Sequence, residues 1–267
     1  MKVTRFLAKD GQRAYGVIDP SDHCLVRPMT GDIFGKYRLG KQKKTGQFLV
    51  PVVPPLIYAL GLNYRKHSEE TGIEYPEWPI VFLKAVTSLS GPGDPIVLPA
   101  AGPSEVDFEG ELAVVIGRRG KNIPLAEAMD YIFGYSCAND VSARDWQNRL
   151  QKKQWARGKS FDTFCPLGPW IVTRDEIPDP GRLRLRTRVN GRIMQDSSTS
   201  DLIFSVPEIV SDLSRSITLL PGTVILTGTP EGVGFTRQPP VFLKPGDTVS
   251  VTIEEIGELT NPVVSEK

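Results

Sequence analysis

The stretch SEVDFEGELAVVIG, residues 104–117, places three acidic residues at alternate positions and follows them with an apolar run. If the stretch is a strand, alternate side chains point to one face, so Asp107, Glu109 and Glu111 share that face. The apolar residues 112–116 predict that the strand continues into a buried sheet. Like charges at this spacing raise one another's pKa values unless water or a cation neutralises them. The stretch therefore predicts a buried sheet that begins at either a solvated acidic face or a cation site.

A fourth acidic residue, Asp140 in CANDVSARD, follows the segment PLAEAMDYIF. That segment has the composition of a helix, and we expect Gly134 to end it. A strand, a helix and a returning segment can bring Asp140 beside Glu109 and Glu111. Carboxylates without histidine or cysteine nearby are hard ligands, which suit Mg²⁺, Mn²⁺ or Ca²⁺ better than zinc or copper. An open metal of this kind can hold a 2-oxo acid or a 1,3-diketone through two oxygens and stabilise an enolate.

The composition fits a globular protein that acts on small molecules. The chain has 267 residues, of which 40% are hydrophobic and 24% charged, enough to bury a sizeable core. A net charge of +1 gives no electrostatic reason to expect nucleic acid or a membrane surface as a partner. Because we find neither an apolar signal segment nor a spanning run, we expect a cytoplasmic protein. The three widely spaced cysteines indicate reduced thiols, although a catalytic cysteine stays open.

The order of elements predicts an α+β, β-rich fold in two parts. Residues 1–55 alternate apolar and polar positions around turn signals such as Asp10-Gly11, which indicates a small antiparallel domain. It ends at the proline-rich segment VPVVPPL, and residues 56–267 form the larger domain, where β-rich runs are separated by Pro and Gly. Ser205 and Glu208 predict a capping box at the start of an amphipathic helix.

Three further motifs have both a structural and a functional interpretation. The stretch GLNYRKHSEETG places Glu70 three residues after His67, a pattern that an exposed polar turn explains as well as a proton-transfer pair. Lys159 lies in RGKSFD, which lacks the first glycine of a phosphate-binding loop. The glycines of TGTPEGVG, residues 227–234, either form a plain turn or let backbone N–H groups converge on an anion. We expect Arg144 and Asp145 to have a structural role, as a pair on a helix surface or buried near the site.

These motifs resemble, in order, those of the fumarylacetoacetate hydrolase family. The segments that carry the resemblance are GLNYRKHSEE, VDFEGELAVVIGR, CANDVSARDWQ, ARGKSFDTFCPLGPWI, VNG, TGTPEGVG and LKPGDTVSVTIEEIGELTN. The resemblance spans about residues 55–264. It implies a mixed β-sandwich roll, a small N-terminal antiparallel domain like that of many members, a homodimer, and an open site for Mg²⁺ or Mn²⁺, with Ca²⁺ as a crystal substitute.

The resemblance also implies roles for particular residues. The metal ligands would be Glu109, Glu111 and Asp140, with Asp107 either a supporting hydrogen-bond partner or a further ligand. The expected catalytic residues are His67, Glu70 and Lys159, and the expected substrate contacts are Gln147, Thr229 and Tyr64. In hydrolytic members the histidine and glutamate belong to a short helical lid, where the glutamate orients the imidazole that takes a proton from water.

The function that this resemblance implies is that of a metal-dependent hydrolase. We expect it to cleave a C–C bond in an acylpyruvate-like or 1,3-diketo acid through a stabilised enolate, with His67 and Glu70 activating water and Lys159 stabilising negative charge. The same site also suits decarboxylation of an oxaloacetate-type 2-oxo acid, or isomerisation of a 2-hydroxy-diene-dioate. A third alternative is a non-catalytic metal-binding module.

Overall fold

The structure is a computed structural model that describes residues 1–101, 103–150 and 152–266. Its strands, in chain order, are β1 Lys2–Leu7, β2 Arg13–Ile18, β3 Leu25–Gly31, β4 Tyr37–Leu39, β5 Lys43–Lys44, β6 Phe48–Leu49, β7 Ile57–Gly61, β8 Ile80–Lys84, β9 Leu89–Ser90, β10 Ile96–Leu98, β11 Val106–Asp107, β12 Gly110–Ile116, β13 Ile132–Asn139, β14 Ser142–Ala143, β15 Cys165–Thr173, β16 Arg184–Val189, β17 Arg192–Ser198, β18 Val224–Leu226, β19 Thr248–Ile253 and β20 Gly257–Ser265.

Helices are short and few in these ranges, as a β-rich fold predicts. The α-helices are α1 Arg65–Thr71, α2 Trp155–Gly158 and α3 Val206–Ser216. A single π-helical turn covers Trp146–Leu150, and 3₁₀ turns cover Val86–Ser88, Leu125–Tyr131, Pro180–Arg182 and Thr199–Asp201. No helix of the described residues is long and apolar enough to cross a membrane.

The strands form two main sheets. The larger sheet has 13 strands, whose central path runs β4-β3-β2-β1-β15-β13-β12-β18-β7-β8. The second sheet has the order β10-β20-β19-β16-β17, and β11 pairs with β14 in a separate short ladder. The α+β, β-rich class predicted from the sequence is therefore confirmed.

The N-terminal strands continue the larger sheet. Strands β1 to β4 form successive antiparallel pairs, as the alternation and the turn at Asp10-Gly11 predict. β1 also pairs with β15, with Lys2 opposite Val172. Backbone hydrogen bonds therefore join the small unit to the larger one, and the domain boundary at residues 55–56, between β6 and β7, stays a prediction.

The core lies on both faces of the larger sheet because its central strands are buried throughout. On one face, Leu112, Val114 and Ile116 of β12 belong to an apolar cluster that also contains residues of the second sheet and of α3. On the other face, Ala113 and Val115 pack in a separate cluster with residues of β7 and β15. The continuous apolar run after Glu111 is thus explained by a strand that is buried on both sides.

One of the two helices predicted from the sequence is present, and the other is replaced by a 3₁₀ turn. The capping box at Ser205 and Glu208 is present, and the amphipathic helix α3 follows it. The helix predicted over PLAEAMDYIF is a 3₁₀ turn that ends at Tyr131, and Gly134 lies inside β13. The prediction that Gly134 ends a helix is therefore wrong. A Cβ atom at this position would lie 2.2 Å from the carbonyl oxygen of Val172, so the glycine permits close pairing of β13 with β15.

Candidate active site: a buried carboxylate cluster beside a cavity

Three carboxylates meet where β12 begins and β13 ends. The two strands are antiparallel, with Gly110 opposite Asn139, so Glu109 and Asp140 extend from adjacent strand ends. The backbone N–H of Asp140 donates to the carbonyl oxygen of Glu109 at 2.8 Å, which fixes the two segments together. One oxygen from each of Glu109, Glu111 and Asp140 lies within 4.8 Å of the other two. The structure thus brings together the three acids that the sequence predicted as ligands.

Asp107 does not belong to this group. The predicted continuous strand is interrupted at Phe108 and Glu109, so β11 and β12 belong to different sheets. Asp107 instead accepts hydrogen bonds from the backbone N–H groups of Gly234, at 2.7 Å, and Phe235, at 3.1 Å, and from Nε of Arg144 at 2.9 Å. Burial raises the pKa of Asp107, and the guanidinium of Arg144 opposes that rise. The expectation that all three alternating acids share one face is therefore wrong.

Two lysines contact the carboxylates from within the buried cluster. Nζ of Lys159 lies 2.7 Å from Glu109 Oε2 and 2.6 Å from Asp140 Oδ2. Nζ of Lys84 lies 2.5 Å from Asp140 Oδ1 and also donates to the carbonyl oxygen of Lys159. Burial lowers the pKa of Lys159, but the charges of Asp140 and Glu109 outweigh that effect and raise it. Lys159 is therefore a fixed ammonium at the edge of the carboxylate cluster.

Arg144 supplies the third cation. Its guanidinium lies 2.6 Å from Glu109 Oε1 and 2.9 Å from Asp107 Oδ2. Burial raises the pKa of Glu109, but Lys159 and Arg144 together lower it below its usual range. Arg144 is buried beside the site, which is one of the two placements predicted for it, and it also lines the cavity described below. Asp145 accepts from the backbone N–H groups of Ser104 and Trp146, which fits the predicted structural role.

Glu111 is the member of the cluster that lacks a cation of its own. Its Oε2 accepts from the backbone N–H of Gly228 at 2.7 Å, but its buried Oε1 has no hydrogen-bond partner among the described residues. Burial raises the pKa of Glu111 well above its usual range, and the charges of Asp140 and Glu109 raise it further. A buried, unsatisfied carboxylate oxygen is costly.

The cluster suits a divalent cation on two counts. Lys84, Arg144 and Lys159 are the three buried cations in contact with the cluster, and Arg144 is shared between Glu109 and Asp107. Counted together with Asp107, the buried acids Glu109, Glu111 and Asp140 outnumber these cations four to three. The ionised cluster therefore carries an excess negative charge, and Glu111 has an oxygen without a partner. Oxygen donors alone fit a hard cation such as Mg²⁺ or Mn²⁺. Glu109, Glu111 and Asp140 are the residues that would hold it.

His67 and Glu70 face the cluster from α1. This helix ends at Thr71 and is capped by Gly72, which adopts a left-handed conformation with φ of 68°. Nδ1 of His67 lies 3.1 Å from Glu70 Oε2, while Glu70 Oε1 accepts from the N–H of Gly232 and the hydroxyl of Thr236, each at 2.9 Å. Burial raises the pKa of Glu70, but these hydrogen bonds lower it overall, so the group is a carboxylate that only accepts. Nδ1 of His67 therefore donates to this carboxylate, and Nε2 is the ring nitrogen that is left for a ligand.

A cavity of about 390 Å³ adjoins the carboxylate cluster at Glu109, Arg144 and Lys159 and also contacts His67 and Glu70. Its polar wall contains His67, Glu70, Glu109, Arg144, Gln147, Lys159 and Thr229. Its apolar wall includes Leu60, Ile73, Phe82 and Trp155. The cavity is of a size that holds a small organic acid.

The predicted substrate contacts differ in their placement. Gln147 lies in the cavity wall and its Oε1 accepts from Arg144 at 3.0 Å, and Thr229 lies in the wall above Gly110. Tyr64 is fully buried next to α1 and is absent from the wall, so the structure does not bring its side chain to the cavity.

Sequence reasoning missed Lys84, because a lysine at the end of the strand IVFLK gives no signal that distinguishes it from a surface residue.

Fold and site together define a β-rich protein in which a carboxylate cluster, suited to a divalent cation, opens on a cavity of small-molecule size. The model of the fumarylacetoacetate (FAA) hydrolase C-terminal domain matches residues 56–264. The chain therefore belongs to the fumarylacetoacetate hydrolase family and is an enzyme of that family. Members of this family are generally dependent on divalent metals.

Individual relatives agree with this assignment. The chain is 51% identical over 217 residues to the mitochondrial oxaloacetate tautomerase fahd2 of Xenopus laevis, covering 81% of this chain and 68% of that protein. It is 44% identical to the solved 5-carboxymethyl-2-hydroxymuconate delta-isomerase of Mycobacterium smegmatis, with a TM-score of 0.88 and complete coverage of both chains. It is 43% identical to the solved 2-hydroxyhepta-2,4-diene-1,7-dioate isomerase of Mycobacterium marinum, with a TM-score of 0.86 and coverage of 100% and 99%.

Proposed function

We propose that this enzyme interconverts the keto and enol forms of a small 2-oxo dicarboxylic acid of the oxaloacetate type. The observation that carries the proposal is the pairing of His67 with Glu70 on the wall of the cavity that also contains Glu109 and Lys159. The names of the relatives, a tautomerase and two isomerases, favour an isomerisation of this kind over the hydrolysis predicted first. The alternative of a non-catalytic module is set aside because the family is one of enzymes.

The reaction requires the movement of one proton and no break between heavy atoms. A base takes a proton from C3 of the keto acid, the electron pair moves toward the oxygen on C2, and that oxygen gains a proton. A divalent cation held by Glu109, Glu111 and Asp140 would supply positive charge to the oxygens of the 2-oxo acid and so favour the enolate. Nε2 of His67 takes or returns the C3 proton, while Glu70 holds the ring in position.

Lys159 and Arg144 supply the remaining charge stabilisation. Both are buried cations that line the cavity, and each contacts Glu109. Fixed cations in a water-poor site stabilise the developing enolate and the substrate carboxylates without reorganising during the reaction. Gln147, Thr229 and Tyr64 stay predictions as substrate contacts, and Tyr64 requires a rearrangement to reach a ligand.

The first experiment follows the enol absorbance of oxaloacetate with Mg²⁺ present. Wild-type protein is expected to accelerate loss of the enol signal without forming pyruvate at the same rate. His67→Ala is expected to lower this rate by about 10²–10⁴-fold, the usual contribution of a proton-transfer group. Glu69→Gln is the matched control, because Glu69 lies on the same helix but its side chain contacts exposed Tyr75. Pyruvate formed as fast as the enol disappears would contradict the tautomerase and indicate a decarboxylase.

Hydrolysis of an acylpyruvate is the second candidate, because the same His67–Glu70 pair can deprotonate water. In that reaction the water oxygen adds to the distal carbonyl carbon. The bond between this carbon and the next carbon of the chain then breaks, and its electron pair forms the enolate of the 2-oxo acid. Acetylpyruvate tested beside oxaloacetate separates the two reactions. Release of acetate and pyruvate that disappears in His67→Ala would support the hydrolase.

We infer that the enzyme is a homodimer, as predicted from the family resemblance. In support, β8 is an edge strand of the larger sheet, and large apolar side chains are exposed on it and beside it. These side chains are Ile73, Tyr75, Trp78, Val81, Leu83 and Val86. Sedimentation equilibrium is expected to give twice the chain mass of 29.5 kDa. A single-chain mass at micromolar concentration would contradict the dimer.

The physiological metal and the location of the protein are also proposals. We expect Mg²⁺ or Mn²⁺ to be the metal in the cell. Ca²⁺ is expected to bind the same carboxylates but to support less turnover than these two metals. The relative from Xenopus laevis is named as mitochondrial. A cytoplasmic location for this chain stays a prediction, which fractionation of cells that express it would check.

A further inference from the structure

Gln195 links the second sheet to the cavity. It lies on β17, is only 1% exposed, and reaches Gly110, the first residue of β12, which lies between Glu109 and Glu111. Its Oε1 accepts from the backbone N–H of Gly110 at 2.9 Å. Its Nε2 donates to the carbonyl oxygen of Pro230 at 2.9 Å and to Oγ1 of Thr229 at 2.8 Å. Because the oxygen faces an N–H group and the nitrogen faces a carbonyl, the orientation of this amide is determined by its partners.

The amide in turn determines the direction of the hydrogen bonds of Thr229. A hydroxyl has one proton and two lone pairs. Oγ1 of Thr229 donates its proton to the carbonyl oxygen of Gly110 at 3.0 Å, and one lone pair accepts from Gln195. Only one lone pair is left. Thr229 lies in the cavity wall, so its hydroxyl can contact a ligand only as an acceptor.

Neighbouring groups on the polar wall have the opposite character. Lys159 and Arg144 are donors only. Oε1 of Gln147 is engaged by Arg144, which leaves the donor Nε2 of this amide for a ligand. These donors match an ionised carboxylate, whereas the lone pair of Thr229 would repel one. The wall thus has cationic and amide donors for carboxylates and a fixed acceptor for a group that carries a proton.

We propose that Gln195 is a positioning residue that holds Thr229 as a hydrogen-bond acceptor, and that Thr229 thereby selects a ligand with a hydroxyl group. The inference rests on the proposed function for its chemistry, because the enol of a 2-oxo acid carries a hydroxyl on C2 and the keto form does not. The site therefore binds the enol form, or a 2-hydroxy acid of similar shape, more tightly than a ligand with carboxylates alone.

The test compares the binding of 2-hydroxysuccinate and succinate to the Mg²⁺-loaded protein by titration calorimetry. These probes differ by one hydroxyl. Wild type is expected to prefer 2-hydroxysuccinate. Thr229→Val keeps the approximate shape but removes the hydroxyl, so this preference is expected to fall by about 3- to 10-fold, the effect of one hydrogen bond. Thr229→Ser retains the hydroxyl and is expected to keep the preference within about twofold.

Gln195→Met tests the positioning role itself. This variant leaves Thr229 in place but removes the donor that fixes its hydroxyl, so the preference is expected to fall although the hydroxyl is still there. Mg²⁺ affinity measured without either acid is expected to stay unchanged in Thr229→Val, which shows that the loss does not arise at the metal. If Gln195→Met fails to fold, the pair Thr229→Val and Thr229→Ser still decides the role of the hydroxyl.

An unchanged preference in Thr229→Val with intact Mg²⁺ affinity would overturn the inference, and so would the absence of any preference in wild type. The proposed reaction fails separately. If wild type does not accelerate loss of the oxaloacetate enol but shows a preference for 2-hydroxysuccinate that depends on Thr229, the tautomerase proposal is wrong and the selection of a hydroxyl stands.

Discussion

The balance of charge among individual residues decides what the site can bind. Glu109 contacts Lys159 and Arg144, and Asp140 contacts Lys84 and Lys159, whereas Glu111 has only the N–H of Gly228. A carboxylate in this position repels its neighbours and leaves one buried oxygen without a partner. A bound divalent cation would satisfy that oxygen and offset the excess charge.

Glu109→Gln tests this balance at a single residue. The change removes one charge from the carboxylate cluster and leaves the side-chain size nearly the same. We expect affinity for Mn²⁺ to fall by at least about 10–100-fold, the loss typical of removing even an outer partner of a metal ligand. Calorimetric titration measures it. Glu105→Gln is the matched control, because Glu105 pairs with the exposed Arg149 outside the cluster. Equal Mn²⁺ affinity in Glu109→Gln and wild type would remove Glu109 from the site.

The sequence predicted the acids of the site better than its cations. Alternation and the apolar run indicated Asp107, Glu109 and Glu111 alike and left a solvated acidic face open. The family resemblance then separated Glu109 and Glu111 as expected ligands from Asp107. Arg144 was expected to be structural, on a helix surface or buried near the site, and the sequence did not show which acids it contacts. Its partners Asp107 and Glu109 are distant in the sequence. The pairing of β11 with β14, the strand that directly precedes Arg144, brings them together.

Among the elements, β12 depends on its first residue, Gly110, which lies between Glu109 and Glu111. A Cβ atom at Gly110 would lie 2.0 Å from Oγ1 of Thr187 and 3.3 Å from Cγ1 of Val251, both on the second sheet. Real Cβ atoms do not approach other atoms so closely, so the two sheets pack at this distance only because the residue is glycine. The motif Glu-Gly-Glu thus places two carboxylates where the second sheet comes closest.

Gly110→Ala is therefore expected to destabilise the fold by about 1–3 kcal/mol, the usual cost of overpacking a core. Urea denaturation measures the change in the free energy of unfolding. Thr187→Ala should restore much of it in the double variant, because it removes Oγ1, a buried hydroxyl without a partner among the described residues. Gly40→Ala is the control, since its added Cβ would have no neighbour nearer than 3.6 Å. A double variant no more stable than Gly110→Ala would show that Thr187 is not the obstacle.

Elements with a complete local signal were predictable, and those set by distant contacts were not. α3 has a capping box, Pro207 in its first turn and an apolar stripe, all of which lie within the helix itself. The turn at Leu125–Tyr131 has a helical composition, but β13 begins directly after it and pairs with β12 and β15. The long-range pairing ends the helical turn early, and a sequence pattern over ten residues does not contain that information.

Across the whole molecule, the site joins segments that are far apart in the chain. Glu111 is the second residue of β12, Asp140 follows β13, and Lys159 follows α2, while α1 and the loop 227–236 line the cavity from the other side. In an unfolded chain these groups do not share a site. A cation that binds them together therefore binds the folded state in preference, and metal binding and folding are linked.

We expect the melting temperature of the whole protein to depend on the divalent metal. A cation at 100 times its dissociation constant stabilises the folded state by about 2.7 kcal/mol. For a chain of this size that corresponds to a rise of roughly 5–10 °C. Calorimetry with Mg²⁺ or Mn²⁺ measures the shift, and an excess of chelator should reverse it. Glu111→Gln should remove most of the response, whereas Glu105→Gln should keep it. No other group of three His, Cys, Asp or Glu side chains among the described residues has ligand atoms within 4.8 Å of one another, so we attribute a metal-dependent shift to this site. A melting temperature that is unaffected by either metal in wild type would contradict the metal site.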